Sequence, residues 1–359
     1  MATTTALKQS REHIERLCRM AADETSFRVA ILGELRRTIG FDAHVWLMTD
    51  PVTCVGSAPL AEVPCLPVLP TAIRLKYLTE VNRWTGLLDG PAVATLVDST
   101  GGDRDKSLIW RELLSRYDIG DVASSAYADR FGCWGFLDLW RDDSSEDFSA
   151  DDIRFLDSVA EPVTAALRRC VAAKFLEPAI AQSRGLGPVV LLLDDDLRVI
   201  SQTAASEDWL NALLPAEPGQ SPIPASAYNV SGQLLALEEG VDVHASTARV
   251  HLGEGFWVTV RAARLSAAEG IAAGIAVTLE ESSPPERLDM YARATGLSNR
   301  ESELLGHLAT GGDTRDIAAR MSVSENTVQD HLKSVFDKTG ARNRAALLGR
   351  ALGVQVVDT

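Results

Sequence analysis

Three side chains of different chemistry crowd one stretch of residues 322–340, SVSENTVQDHLKSVFDKTG: the amide of Gln329, the carboxylate of Asp330 and the ammonium of Lys333. Val328, Leu332, Val335 and Phe336 recur at i, i+4, i+7 and i+8, which is one apolar stripe of a helix. Asn326, Gln329, Asp330, Lys333 and Asp337 fall on the opposite side. Ser324 is a good N-cap, and the helix should run about four turns from it. Amides and ammonium groups donate to base edges in a duplex major groove, and the free N–H groups of a helix N-terminus attract phosphate. Asp330 is the odd member. It either accepts from an exposed base donor, or it pairs with Lys333 at i+3 and does nothing else.

Such a face needs neighbours to hold it. Ser298 and Glu301 have the spacing of a capping box and should open a helix that ends at Gly311-Gly312. Asp313 caps a short second helix with Ile317, Ala318 and Met321 inward, and MSVS forms a tight turn into the longer helix. Asn343 caps a fourth helix, ALLGRAL. Short helix, tight turn and longer helix with a polar outer face make a helix-turn-helix. On pattern alone the alternative is a four-helix packing module with a solvated face.

The chain has 359 residues and a net charge of −15, which looks wrong for a nucleic-acid binder. The charge is uneven. Ser298 to Val354 holds 8 Lys and Arg against 7 Asp and Glu, leaving 27 against 43 in the remainder. Any contact with nucleic acid must therefore be local to the C-terminal segment. The length suggests two or three domains, and 46% hydrophobic residues with 24% charged is ordinary globular composition. No run of about 18 apolar residues suggests a membrane span, and MATTTALKQSREHIERL lacks the apolar region of a signal peptide. Cys18, Cys54, Cys65, Cys133 and Cys170 are scattered with no CxxC, which points to reduced thiols in a cytoplasm and gives no zinc spacing.

Along the chain, residues 1–22 suggest a lone helix with a polar face. ETSFRVAILGELRRTIG is an amphipathic helix ended by Gly40, and FDAHVWLMTDPVTCVGSAP reads strand, turn at Asp50-Pro51, strand. Helical pieces follow near 68–80 and 107–117, then β-rich GDVASSAYADRFGCWGFLDLW. A long helix starts at Ser149, with Asp152 completing a capping box and Pro162 as an expected kink or break. Residues 177–187 are a plausible linker. A second α+β unit reads strand, acidic turn, strand, two helices and three strands; ESSPPERLDM, 281–290, looks like a Pro-rich hinge. No internal repeat is visible.

LSNRESELLGHLATGGDTRDIAARMSVSENTVQDHLKSVFDKTGARNR strongly resembles the LuxR-type helix-turn-helix. Leu297, Ser298, Arg300, Glu301, Gly311, Ile317-Ala318, Val323-Ser324, Thr327-Val328, His331-Leu332, Lys338 and Asn343-Arg344 carry the match, over roughly 55 residues. The family usually has Lys after Thr-Val, where this chain has Gln329, and an acid at the next position, Asp330, is uncommon. The resemblance implies that Thr327 and His331 face phosphates and that Gln329, Asp330 and Lys333 face bases. Ser324, Lys338 and Arg342 complete the DNA-facing set, and the last helix commonly dimerises in this family.

FDAHVWLMTDP, LKYLTEVNRWTGL and DRFGCWGFLDLWR resemble a GAF-type sensory domain, as in actinobacterial GAF–LuxR regulators. Five of the seven tryptophans lie there, and Trp46, Trp84 and Trp134 are the candidate pocket residues, although such aromatics are more often core. The middle unit resembles a PAS-type fold in its element order. VVLLLDDD resembles the start of a phosphorylated receiver domain, but RVIS continues as strand at once, so the acids read as hairpin-turn residues. The six histidines form no HExxH or nucleophile motif, and GGDTRD lacks the P-loop lysine.

These readings predict a multidomain chain: an N-terminal helix (1–22), an α+β GAF-like domain (23–172), an α+β PAS-like domain (187–282) and an all-α four-helix LuxR-type helix-turn-helix domain (290–359). The expected function is a cytoplasmic, homodimeric transcription regulator that binds duplex DNA and responds to a small-molecule effector. No enzyme activity, metal, cofactor or membrane contact is expected. The alternative has the N-terminal domains bind a partner protein; a phosphorylation-driven response regulator is disfavoured.

Overall fold

A computed structural model describes residues 4–177, 188–214, 222–253, 255–266 and 274–353. Helices α1 (Thr4–Met20) and α2 (Glu24–Thr38) lead into strands β1 (Ala43–Thr49) and β2 (Gly56–Glu62). Then come α3 (Leu69–Leu78), β3 (Val93–Thr95), α4 (Leu96–Thr100), α5 (Leu108–Glu112), β4 (Ile119–Asp129), β5 (Gly132–Asp142) and α6 (Ala150–Lys174). The strands form one antiparallel sheet in the order β2-β1-β5-β4-β3. One face is covered by α1, α2 and α6, the other by α3 and α5. The first helix is not alone: Ile14 and Cys18 are buried in the same core as α6, and Ser10 bonds Thr38 at 2.8 Å. Ser149 and Asp152 close the capping box expected for α6, and the helix runs on through the half-buried Pro162 to Lys174.

A second antiparallel sheet follows. Its elements are β6 (Val189–Leu193), β7 (Val199–Gln202), α7 (Ser206–Leu213), α8 (Ala225–Glu238), β8 (Thr247–His251), β9 (Trp257–Arg264) and β10 (Ile275–Glu281). The order β7-β6-β10-β9-β8 repeats that of the first sheet, counted from each unit's own first strand. The sequence carries no sign of this repetition, because the two units share topology and not residues. The Asp194–Asp196 acids do sit in a hairpin turn: the Asp194 carboxylate accepts from the Asp196 and Arg198 amides at 3.0 and 2.8 Å. The expected linker at 177–187 lies outside the described residues from 178 onward.

Helix α8 is buried along nearly its whole length, from Ala225 to Ala236. It packs on its own sheet with one side and on α3 and β2 of the first unit with the other. A helix that must bury two faces cannot carry an amphipathic pattern, and ASAYNVSGQLLAL has none. Gly232 permits the closest approach: a Cβ there would meet the Tyr77 ring at 2.9 Å.

The stretch expected as a Pro-rich hinge is a helix instead. Helix α9 (Pro284–Ala294) opens with proline at its first turn and a capping box between Ser283 and Glu286. Proline is favoured at that position because its missing N–H has no helical partner there. Helices α10 (Asn299–Ala309), α11 (Thr314–Met321), α12 (Glu325–Thr339) and α13 (Arg344–Leu352) complete a five-helix C-terminal bundle. It docks on both sheet units. Phe175, just past α6, stacks on Trp257 at 4.8 Å and meets Tyr291 of α9 edge-on at 5.1 Å. Arg249 of β8 joins all three parts: it donates to Asp50 at 2.7 and 2.9 Å and to Asp289 at 2.7 Å.

Candidate functional site

The α11–α12 pair forms the helix-turn-helix. Asp313 caps α11 by accepting from the Asp316 amide at 2.8 Å, and Ser322 ends that helix in the left-handed conformation, φ 56°. Ser324 caps α12, accepting from the Thr327 amide at 3.1 Å, and Gly340 closes it at φ 63°. Val328, Leu332 and Val335 are buried against α10 and α11, which fixes the helix rotation. Gln329, Asp330 and Lys333 then stand exposed on the outer face. Gln329 leans toward Thr314, 3.4 Å away. The side chains of Asp330 and Lys333 bond to no described residue, and the i+3 ion pair weighed from spacing is not formed. His331 is half-buried beside them, Thr327 also bonds the Ser324 hydroxyl at 2.9 Å, and Arg342 is exposed in the turn before α13.

Lys338, expected in the DNA-facing set, is also tied within the bundle. Its ammonium donates to both carboxylate oxygens of Glu301, at 2.6 and 2.9 Å, and Ser334 adds a bond at 2.6 Å. Glu301 is only 4% exposed. Burial alone would raise its pKa, but the bonds from Lys338 and Ser334 outweigh it and hold the carboxyl at about 2. Lys338 is thus part of a latch between α12 and α10. Two cations absent from the expected set are free: Arg315 and Arg320 on α11 are exposed and have no side-chain partner among the described residues. In a helix-turn-helix the first helix crosses the phosphate backbone, so its exposed arginines were the signal to look for.

The three candidate tryptophans are split by the first sheet. Trp84 lines a cavity of about 200 Å³ on the α3 face. Trp46 and Trp134, both fully buried, lie on the opposite face in the core with α6; Trp46 stacks on Tyr127 at 5.4 Å. They are core residues in this fold and do not line the cavity. Trp46 alternates with Val45 and Leu47, which do. Simple alternation along β5 would put Trp134 with Phe136 and Trp140. A register shift between Tyr127 and Ala128 on the paired strand β4 breaks it, and Trp134 joins Leu137 and Leu139 instead.

The cavity is largely apolar with one charged corner. Lys76 and Asp138 pair at 2.8 Å, both nearly buried. Asp138 also accepts from the Trp84 indole at 2.8 Å and from Ser124 at 2.6 Å. The Lys76 ammonium lies 4.6 Å over the Trp84 ring. No metal-binding cluster of His, Cys, Asp or Glu occurs among the described residues, and all five cysteines are buried and free.

The fold and site define a helix-turn-helix bundle carried by two α+β sheet units. Residues 295–351 match the sequence profile of bacterial regulatory proteins of the luxR family. Among curated proteins, the probable transcriptional regulatory protein SgaR of Hyphomicrobium methylovorum is 53% identical over 49 residues, 14% of this chain and 23% of that one. The transcriptional regulatory protein DesR of Bacillus subtilis is 32% identical over 63 residues, 18% of this chain and 32% of that one. The probable HTH-type transcriptional regulator GfsR of Streptomyces halstedii is 34% identical over 85 residues, 21% and 35%. The chain thus matches about a quarter to a third of these relatives' own lengths. Among solved structures, Vibrio cholerae VqmA is 18% identical over 48% of this chain and 85% of that one, with a TM-score of 0.20. Residues 295–351 are thus similar to the luxR family, and the three curated relatives are named as transcriptional regulators. No helix among the described residues is long and apolar enough to cross a membrane.

Proposed function

We propose that the protein is a cytoplasmic, homodimeric transcription regulator: α12 reads duplex DNA, and a small molecule held by a GAF-like first unit controls it, with a PAS-like second unit between sensor and bundle. The observation that carries the reading is the outer face of α12, where Gln329, Asp330 and Lys333 stand exposed in the luxR-type segment, the last two with no side-chain partner. The capped N-terminus of α12 faces phosphate; one turn on, the amide and ammonium donate to base edges. Dimerisation through α13 sets the spacing of two such helices, about one helical turn of DNA apart. An effector that favours one arrangement of the dimer shifts the population toward or away from that spacing. The cavity favours a small molecule over a partner protein as the controlling input, because its polar groups lie inside and not on a surface.

The test is selection of genomic fragments by the full-length protein at moderate salt, repeated with Gln329→Ala/Lys333→Ala. The wild type is expected to enrich a two-fold-symmetric sequence that the variant does not. Enrichment no better than random duplex would sink the reading.

A further inference from the structure

The cavity beside Trp84 does not belong to the first unit alone. Val45 and Leu47 of β1 and Trp140 of β5 form its floor and Lys76 of α3 a wall, but Ala225 and Asn229 of α8 form its roof. That roof comes from the second unit. Trp140 of the floor has a buried indole Nε1 with no partner among the described residues. Asn82, also on the lining, has a buried carbonyl oxygen with no partner. Beyond Asp138 and the Trp84 ring, the Lys76 ammonium has no acceptor among the described residues, which leaves an N–H donor for an occupant. Buried polar atoms in native proteins usually have a partner, so a carbonyl oxygen, an indole N–H and a lysine with a donor to spare on one lining call for an occupant.

The same groups define its chemistry. Lys76 and Asp138 cancel in charge. A charged occupant would add an uncompensated ion to a largely apolar space, which disfavours it. The unused donor of Lys76 calls for an acceptor. An apolar cavity of about 150 Å³ holds benzene, so about 200 Å³ suits one ring with a small substituent. We propose that this cavity is a composite site for a neutral, ring-sized, mostly apolar molecule whose carbonyl oxygen accepts from Lys76, and that the molecule, gripped by both units, fastens α8 to the first sheet. The proposal rests on the small-molecule reading of the preceding section and specifies its ligand.

The probes are acetophenone, benzoate and ethylbenzene, of one size and differing in charge and acceptor. Each is titrated into the full-length protein, followed by melting temperature and by backbone hydrogen exchange. Acetophenone should bind at least tenfold more tightly than either other probe. It should slow exchange in both 69–78 and 225–238. Ala225→Leu and Asn229→Leu, which fill the roof, should each weaken binding tenfold or more; their melting temperatures without probe report that the fold is intact, and two variants guard against loss of one. Benzoate or ethylbenzene binding as well as acetophenone overturns the ligand class and leaves the small-molecule reading standing. Protection confined to 69–78 overturns the composite site. Binding by none of the three at millimolar concentration overturns both, while DNA selection by the same preparation stays a separate result.

Discussion

Replacing Lys338 by Met tests whether that lysine holds the bundle together or touches DNA. Glu301, 4% exposed, keeps its carboxyl near 2 where 4.5 is ordinary, so ionising it in the fold is favoured by about 3 kcal/mol. Ser334 and the Ser298 amide, at 2.6 Å each, supply part of that stabilisation, and Lys338 is itself about one-third exposed and partly screened. The loss expected for Lys338→Met is therefore about 2 kcal/mol, large for a surface-side substitution but small for a buried pair broken outright. The assay is hydrogen exchange of α10 and α12 in the full chain, which reads local opening without assuming one transition for three units. A group whose pKa is depressed in the fold stabilises it above its unfolded pKa and loses that effect as pH falls. The wild-type advantage over Lys338→Met should thus be complete above pH 4.5 and shrink toward pH 2. Salt dependence of DNA binding should change little between variants that remain folded. Unchanged exchange, together with a salt slope lowered by about one, would refute the latch and return Lys338 to the phosphate backbone.

Asp330→Ala should leave stability within about 0.5 kcal/mol, since Asp330 has no partner to lose, yet tighten binding to random duplex and relax preference at one base pair per half-site. Binding to single-base operator variants at fixed salt checks this; a uniform shift across all variants refutes it. Arg249→Met leaves Asp50, 1% exposed, without its cation and should cost about 3–5 kcal/mol, read by exchange at 50–56 and 284–294. His244 is raised to about 10 by its 2.6 Å bond to Asp242 and by Cys54, so its stabilising effect is complete below pH 6.5 and lost as pH rises through 10. Denaturation midpoints should fall across pH 7–10 in the wild type and stay flatter in His244→Gln.

The sequence revealed most where one element carries its own signals. Caps at Ser149, Ser298, Asp313, Ser324 and Asn343 each announce a helix, because the capping oxygen lies within three residues of the N–H it satisfies. The α9 start had the same signal in Ser283 and Glu286, but two adjacent prolines resembled a hinge; proline breaks a helix inside and suits it at the first turn. What stayed hidden depends on distant residues. Glu301 and Lys338 are 37 positions apart, so the capping box was visible and the latch was not. Trp134 moved to the other sheet face by a single slip in register. The pocket's roof could not be read at all, since α8 has no apolar stripe to say which side faces what.

The charged bridge at Arg249 shows why the bundle cannot be treated as a reading head on a loose tether. β1 carries Val45 and Leu47 on the cavity floor and ends at Thr49. The next residue, Asp50, clamps Arg249, and Arg249 holds Asp289 on α9, whose neighbour α10 packs on α12. Burying such ions is no route to stability, since well-packed apolar side chains of similar volume do as well or better. What an ion bridge adds is direction: the bonds to Asp50 need the two sheet units in register, and the bond to Asp289 needs the bundle docked beside them. Apolar contacts such as Phe175 on Trp257 tolerate sliding; the Asp50–Arg249–Asp289 bridge does not. The interface between sheet units and bundle therefore combines an apolar contact that supplies area with an ionic one that defines a single docked arrangement.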